Sequence, residues 1–487
     1  MRPLKHLHIF AFMKTTTGST LAVLVTVSLL THLLLIGGKS FWVDEAYAVG
    51  LMHLSPREVI ELSSRSTPHP PGAFLLIRAS TALAGRTEGG ARLLNALAVA
   101  SGVIPLFLLL RRFLKKTEPS FWAAMTWAVS PYSVALGQEA WVYGFPAALA
   151  LWCVYLASIQ WKQGYGIPIA WFLICLAGLY SQFSFIFAVV SSIGVMAASG
   201  RVPRRAWAGL LLALALWAPL VIQHAPELLA RSARLSAGGV GLGTAPHRIV
   251  RNAPLAVAGL FADGLVPHAY RDAAHGLWNA LALFGPLLLA SGAMAALAVE
   301  KAMTRKLRAW AFFTAALPFI MFLGDAPGER QLFLAALPLT IGMGALFNRF
   351  RSVQLPAMLL LGALLAHWYS LNTNAYHRSD WRSAAAHVNS RIIPGDVVYV
   401  TSGQSGGIAW DLSGGTPDRL ALGGDENPWS THRQRSNPEE LSDSILTQGH
   451  RLWLVADLWG SPPLPPNRVP SETWDFGRDM RVFLFLP

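Results

Sequence analysis

Long apolar runs, broken at short intervals by turns and small clusters of charge, set the rhythm of this chain. A membrane-crossing helix needs about 20 mainly apolar residues, within a working range near 17–25. Candidate spans lie at 17–37, 89–110, 119–136, 143–160, 166–180, 182–199, 206–223, 277–298, 309–324, 331–347 and 354–371. The 166–199 stretch reads as two helices because Tyr180-Ser181-Gln182 interrupts it. One further apolar run, 70–84, is shorter, opens on Pro-Pro and contains Arg78, so length alone does not place it.

The cations decide that run. If 70–84 stays out of the bilayer and Arg2, Lys5 and Lys14 are cytoplasmic, the basic loops fall on one side. They carry Arg111, Arg112, Lys115 and Lys116; Lys162; Arg201, Arg204 and Arg205; Lys301, Arg305, Lys306 and Arg308; and Arg349 with Arg351. Such a bias is the expected mark of cytoplasmic loops, and a crossing at 70–84 would reverse it. The pattern therefore predicts about eleven spans, a cytoplasmic N-terminus, and 70–84 lying along the outer interface. Three segments face outward: a first loop at 38–88, a second large loop at 224–276, and an extracytoplasmic domain at 372–487. Residues 1–371 form the transmembrane domain.

Turn and cap chemistry fills in the outer segments. Leu54-Ser55-Pro56-Arg57-Glu58-Val59 is a complete helix start, with Ser55 as cap, Pro56 at the first helical position and Glu58 closing a capping box. It predicts a helix over about 56–64, ended by Thr67-Pro68 and followed by the rigid turn His69-Pro70-Pro71-Gly72. In the second loop, SAGGVGLGTAP follows no strand and lacks a Lys-Ser/Thr ending, so it reads as a linker and not as a phosphate cradle. In the tail, SDWRSAAAHVNSRI predicts a helix capped by Ser379 or Asp380, and PGD turns into the strand DVVYVTS. NPEELSDSILTQG reads as a helix with Asn437 as cap and Gly449 as stop; RLWLVAD and MRVFLFL read as strands. Alternating strand and helix predicts a small α/β domain.

Composition agrees. Of 487 residues 53% are hydrophobic and only 13% charged, against about a quarter charged in ordinary soluble chains. The net charge of +13 comes from 39 Lys and Arg against 26 Asp and Glu, and their placement between apolar runs argues for membrane sidedness and against nucleic acid. Cys153 and Cys175 both lie in apolar runs and read as buried thiols, with no disulfide framework. No small-residue cleavage site follows the first apolar run, which is therefore expected to stay as a span.

The chemistry is expected at the outer boundary. Asp44 and Glu45 stand side by side just outside the first span, where carboxylates are costly unless they face a polar cavity. One is suited to act as general base on an attacking hydroxyl or amine and the other to orient the acceptor. A phosphate leaving group would need cations, and His69, Arg92 and Arg330 are placed at outer boundaries. Gln138, Glu139, Tyr143, Tyr180 and Gln182 fall on the same side. The plain alternative is that each merely ends a helix. A transporter or flippase predicts charges at mid-membrane and repeated halves; the span centres are almost free of charge and no repeat is evident. A ligase or polymerase of lipid-linked oligosaccharides fits the same pattern.

In order, FWVDEAYAVG, HPPGAFLLIR, ARLLNAL, SPYSVALGQEAWVYGF, LYSQFSF, ERQLFLAALPLT and DWRSAAAHVNSRIIPGDVVYV resemble the bacterial relatives of polyprenyl-phosphate-mannose protein mannosyltransferases and of the lipid A aminoarabinose transferases. The resemblance covers most of the chain. It implies a GT-C-like α-helical polytopic membrane fold with a C-terminal extracytoplasmic α/β domain, in the cell (inner or plasma) membrane. It implies inverting transfer from a polyprenyl-phosphate sugar to a lipid, glycan or protein acceptor. Asp44 would be the base; Glu45, His69, Arg92, Gln138, Glu139, Tyr143, Tyr180 and Arg330 would contact substrate. No cofactor is implied, and a divalent metal would lack paired ligands at Asp44-Glu45 alone. Two departures stand out: Trp141 where relatives often carry Arg, and Gln331 where they usually carry Tyr.

Overall fold

In lipid every backbone N–H and C=O must be satisfied within its own segment, which turns apolar runs into helices. A computed structural model describes residues 17–41, 43–66, 69–159, 161, 166–200, 202–237, 257–258, 260–261, 276–318, 333–373, 380–400, 420–422, 446–457, 468–476 and 480–487. Its helices begin with α1 (Thr17–Leu33), α2 (Val43–Gly50), α3 (Pro56–Ser66), α4 (Gly72–Ala84), α5 (Glu88–Ser101) and α6 (Val103–Leu114). Next come α7 (Thr117–Val129), α8 (Pro131–Gly137), α9 (Gly144–Ser158), α10 (Gly166–Leu179), α11 (Ile186–Ala198) and α12 (Arg204–Ala237). The series ends with α13 (Gly276–Val299), α14 (Arg305–Ala316), α15 (Phe333–Arg349), α16 (Gln354–Thr373) and α17 (Trp381–Asn389).

The chain packs as two units. The first holds Met1–Leu34, Ile60–Ala73 and Asn95–Ala366. Its central helix is α15, buried at every position from Phe333 to Phe347, as expected of a helix that is apolar all round. It packs against α13, α7 and α14. The close approach to α13 depends on Gly342, where a Cβ would stand 2.5 Å from the Ala293 carbonyl oxygen. Other helices turn large apolar side chains outward: Leu211 is 66% exposed, Ile222 72% and Leu288 72%. Four described helices are long and apolar enough to cross a bilayer: Glu88–Leu114 (α5 running on into α6), Arg204–Pro226, Leu281–Val299 and Arg351–Leu371. An apolar exterior of this kind is a lipid-facing one, and the protein is a multi-pass membrane protein. Cys153 and Cys175 are buried free thiols with sulfurs 3.6 Å apart.

The expected 119–136 span is broken at Ser130-Pro131, where the proline starts a new helix, into α7 and α8, and another expected boundary moves. The span expected to end near 223 continues without a break to Ala237 as α12, past Pro219 and Pro226. At about 1.5 Å per residue its 34 residues reach about 50 Å, more than the roughly 30 Å hydrocarbon thickness. Hydropathy falls after 223 while helix propensity does not, because HAPELLARSARLSA is rich in Ala, Leu, Glu and Arg. Buried His224 anchors the overrun, with Nδ1 2.9 Å from the Leu220 oxygen and Nε2 3.2 Å from the Ser63 oxygen.

The second unit holds Leu35–Val59, Phe74–Leu94 and His367–Pro487. The capping box forms as expected: Ser55 N donates to Glu58 Oε2 at 2.7 Å and Glu58 N to Ser55 Oγ at 3.3 Å. These bonds hold the Glu58 carboxyl below its ordinary pKa. In the tail, β1 (Val397–Val400), β2 (Leu420–Leu422), β3 (Leu452–Asp457), β4 (Glu472–Asp475) and β5 (Met480–Phe485) form one sheet in the order β2-β1-β3-β5-β4. β1 runs parallel to β2 and β3, while β5 runs antiparallel to β3 and β4. One face buries Val398, Trp453, Val455 and Val482 against Trp381, Ala384 and Val388 of α17. The other buries Tyr399, Leu454 and Phe483 with Leu446. Asp380, not Ser379, is the observed cap of α17, accepting from Ser383 N at 3.1 Å. The helix expected after Asn437 lies outside the described residues except its end, where Gly449 has φ +80.

Asp396 ties the tail together. It accepts from Arg451 Nε at 2.8 Å and Nη2 at 2.6 Å, Trp453 Nε1 at 2.8 Å and Ile393 N at 3.0 Å. Burial alone would raise its pKa; the bonds from Arg451, Ile393 and Trp453 outweigh it and hold the carboxyl below the ordinary range.

Two outcomes follow. Gly342→Leu should lower the thermal unfolding temperature in detergent, at a cost of about 1–3 kcal/mol from overpacking. Gly362→Leu, where an added Cβ meets nothing within 4 Å, should leave it near the starting value. For Asp396 the folded pKa is depressed, so its stabilisation is present above the unfolded pKa near 4 and lost as pH falls through the folded value. Asp396→Asn should weaken β1 and β3 by about 1.5–3 kcal/mol at pH 7. Hydrogen exchange corrected for intrinsic rate should then show that loss flatten below about pH 4, where wild type approaches the variant.

Candidate active site

The second unit carries the carboxylate pair. Asp44 and Glu45 open α2, in the first turn where the helix dipole favours negative charge. Asp44 is partly exposed, while Glu45 is fully buried beside Arg92, also 0% exposed. Arg92 Nε donates to Glu45 Oε1 at 2.7 Å and Nη2 to Oε2 at 2.8 Å, a bidentate pair. Its remaining donors reach the backbone just before α2: Nη1 to the oxygens of Ile36 and Lys39, both at 2.9 Å, and Nη2 to Ser40 O at 3.3 Å. All five N–H groups of the guanidinium are engaged. Arg92 therefore has no donor left for a phosphate in this arrangement, and both Glu45 oxygens are occupied by it. The geometry gives these two residues the job of fixing the strand of chain that leads into Asp44. Phe41 closes the site, with the guanidinium 5.2 Å from its ring centre.

The first unit carries the other polar cluster. The His69 ring meets Trp141 edge-to-face at 5.5 Å and Tyr143 at 6.2 Å, and its Nδ1 stands 3.4 Å from Gln182 Oε1. Gly72, at the end of the His-Pro-Pro-Gly turn, donates its N–H to the Tyr180 oxygen at 2.7 Å. A Cβ at Gly72 would lie 2.6 Å from that same oxygen, so only glycine allows the turn to dock there. The 138–143 turn is held by Asn95, whose Nδ2 lies 2.5 Å from Glu139 O, 3.3 Å from Leu136 O and 3.4 Å from Trp141 O.

Several expected substrate contacts thus have structural duties. Gln138 Nε2 donates to the oxygens of His32 at 3.1 Å and Leu34 at 2.7 Å, closing the C-terminal end of α1. The Tyr180 hydroxyl donates to Leu216 O at 2.7 Å. Glu139 is buried, 3% exposed. Arg330 lies outside the described residues. Asn95 was not singled out by sequence, although it sits in the ARLLNAL run three residues after Arg92; a lone polar residue in an apolar helix was the only signal. Among the described residues no three His, Cys, Asp or Glu side chains group as metal ligands.

Comparison with known proteins adds the frame. The family model for dolichyl-phosphate-mannose-protein mannosyltransferase matches residues 68–222. Crystal structures of ArnT from Cupriavidus metallidurans superpose over almost the whole chain. The apo state matches with a TM-score of 0.56 at 12% identity, over 96% of this chain and 98% of that one. The state bound to undecaprenyl phosphate matches with a TM-score of 0.57 over the same shares at 12% identity. The fold is that of ArnT. Arabinofuranosyltransferase AftD from Mycobacteria matches 91% of this chain and 37% of that one, at 15% identity and a TM-score of 0.46, too loose to carry weight. A search of curated proteins finds no matching sequence. The GT-C-like helical fold with a small C-terminal sheet is therefore as the sequence led us to expect.

The clamp has its own test. Glu45→Ala should cost about 3–5 kcal/mol in thermal unfolding by leaving the Arg92 charge buried and uncompensated, whereas Glu45→Leu with Arg92→Met should recover most of it. A single variant as stable as wild type would show that the pair does not anchor the segment.

Proposed function

We propose that this chain is a membrane glycosyltransferase that moves a sugar from a polyprenyl-phosphate donor to an acceptor on the outer face of the membrane, with inversion. The observation that carries the reading is the fold match to ArnT along nearly the full length of both chains. One of those ArnT structures was solved with undecaprenyl phosphate, and the mannosyltransferase family model falls on 68–222. The donor class is inferred from these together. The sugar is a pentose or a hexose, and the acceptor a lipid, glycan or protein.

Asp44 is the proposed base. It takes the proton of the acceptor hydroxyl or amine as that atom forms its bond to the anomeric carbon. The bond from that carbon to the phosphate oxygen breaks with its electron pair going to the phosphate, which leaves as the polyprenyl phosphate anion. His69 is proposed to stand near that phosphate, where a cation would offset the developing charge. Glu45 and Arg92 support the base through the clamp, and Tyr143 and Glu139 remain candidates for contact with substrate. The proposed orientation puts the N-terminus in the cytoplasm and residues 372–487 outside, in an inner or plasma membrane, with 1–371 as the catalytic domain. No cofactor enters the scheme.

Asp44→Asn in membranes supplied with labelled polyprenyl-phosphate sugars should lower transfer by about 10²–10⁴-fold. Undiminished transfer would sink the assignment of the base.

A further inference from the structure

The segment that leads into Asp44 is gripped a second time within its own unit, from the C-terminal side of the chain. Ser40 Oγ donates to Asp380 Oδ1 at 2.9 Å. The same carboxylate caps α17, taking Ser383 N at 3.1 Å and Ser383 Oγ at 2.6 Å. Two residues on, Arg382 Nη1 stands 3.4 Å from Gly37 O and its Nε 3.5 Å from Glu88 Oε1. Lys39 Nζ lies 5.0 Å over the ring of Trp368. Gly37, Lys39 and Ser40 therefore meet the C-terminal region, and the backbone oxygens of Ile36, Lys39 and Ser40 meet Arg92. Five residues of chain are held from both sides, and α2 begins three residues later with Asp44 in its first turn.

We infer that the C-terminal domain is a positioning element for Asp44, acting through Asp380 and Arg382 at the start of α17. The physical case is one of entropy and geometry. A carboxylate in a short eight-residue helix is aimed only as well as its lead-in segment is fixed, because α2 is too short to hold itself in place. A misplacement of about 1 Å at a reacting group is enough to cost a factor of about a hundred. Asp380 is well suited to pass rigidity on: one carboxylate binds the lead-in hydroxyl and the backbone of α17, whose Trp381, Ala384 and Val388 are packed into the sheet. The lead-in thereby inherits the stability of the tail's core. Neither residue touches the reacting atoms in this account. That this aim serves catalysis rests on the glycosyltransferase reading; that the tail orders the segment does not.

The test separates the two. Full-length protein in nanodiscs, as Ser40→Ala/Arg382→Ala, should show hydrogen exchange over Val43–Gly50 quickened by about tenfold, from loss of one buried-type hydrogen bond and a half-exposed ion pair. Exchange in α15 should be unchanged. Ser40→Thr/Arg382→Lys, which keeps a hydroxyl and a cation, should restore most of the protection. Turnover of undecaprenyl-phosphate-linked hexoses and pentoses by the alanine variant should fall in kcat, with KM for the donor kept. Unchanged exchange over Val43–Gly50, or exchange raised equally in α15, overturns the inference whatever the activity shows. Quickened exchange with Asp44→Asn fully active would instead uphold the positioning and overturn the assignment of the base.

Discussion

A guanidinium taken wholly out of water must have every N–H met, and the region around Asp44 is built to meet that demand at Arg92. Two of the five bonds go to Glu45 and three to backbone oxygens between Ile36 and Ser40. Such a pair is poor evidence of net stability, since its desolvation offsets much of its attraction. Its effect is on geometry. A planar fork with five fixed directions admits one arrangement of the chain between 36 and 45, and any other leaves a buried charge exposed to an apolar interior. The carboxylate that chemistry would use is next in sequence to the one that structure consumes. The adjacent acidic pair is thus divided in its surroundings: Glu45 is buried against Arg92, while Asp44 stays partly exposed.

The first unit solves the same problem with neutral groups. The 138–143 turn carries two carbonyls, and the end of α8 a third, to a single amide, Asn95 Nδ2, and the His-Pro-Pro-Gly turn donates its glycine N–H to Tyr180 O. In these two turns, where the backbone leaves helix, backbone polar groups are met from another segment. Polar residues at span ends therefore serve two purposes that look alike in sequence. Gln138 closes the end of α1 and the Tyr180 hydroxyl ties to the middle of α12, whereas His69 is set among the rings of Trp141 and Tyr143.

What could be read in advance follows from the range of the forces involved. Local rules were legible: the Ser55–Glu58 capping box, the α17 start, and the strands RLWLVAD and MRVFLFL, whose continuous apolar runs fit a sheet covered on both faces. β2 and β4 were not. One is three residues long, and the other, ETWD, is a polar edge strand that exists because β5 pairs with it. The overrun of α12 was hidden because hydropathy reports burial in lipid and not helix continuity. Asn95 was hidden for the opposite reason. Its importance lies in three carbonyls more than 40 residues away in sequence, and nothing within its own helix marks it.

Trp141 shows how far one substitution in a motif can be argued. An arginine there, as the family pattern has it, would set a fixed positive charge against His69. Trp141 meets the imidazole instead with an aromatic ring at 5.5 Å. His69 is thus packed by two rings, Trp141 and, at 6.2 Å, Tyr143, with Nδ1 3.4 Å from Gln182 Oε1.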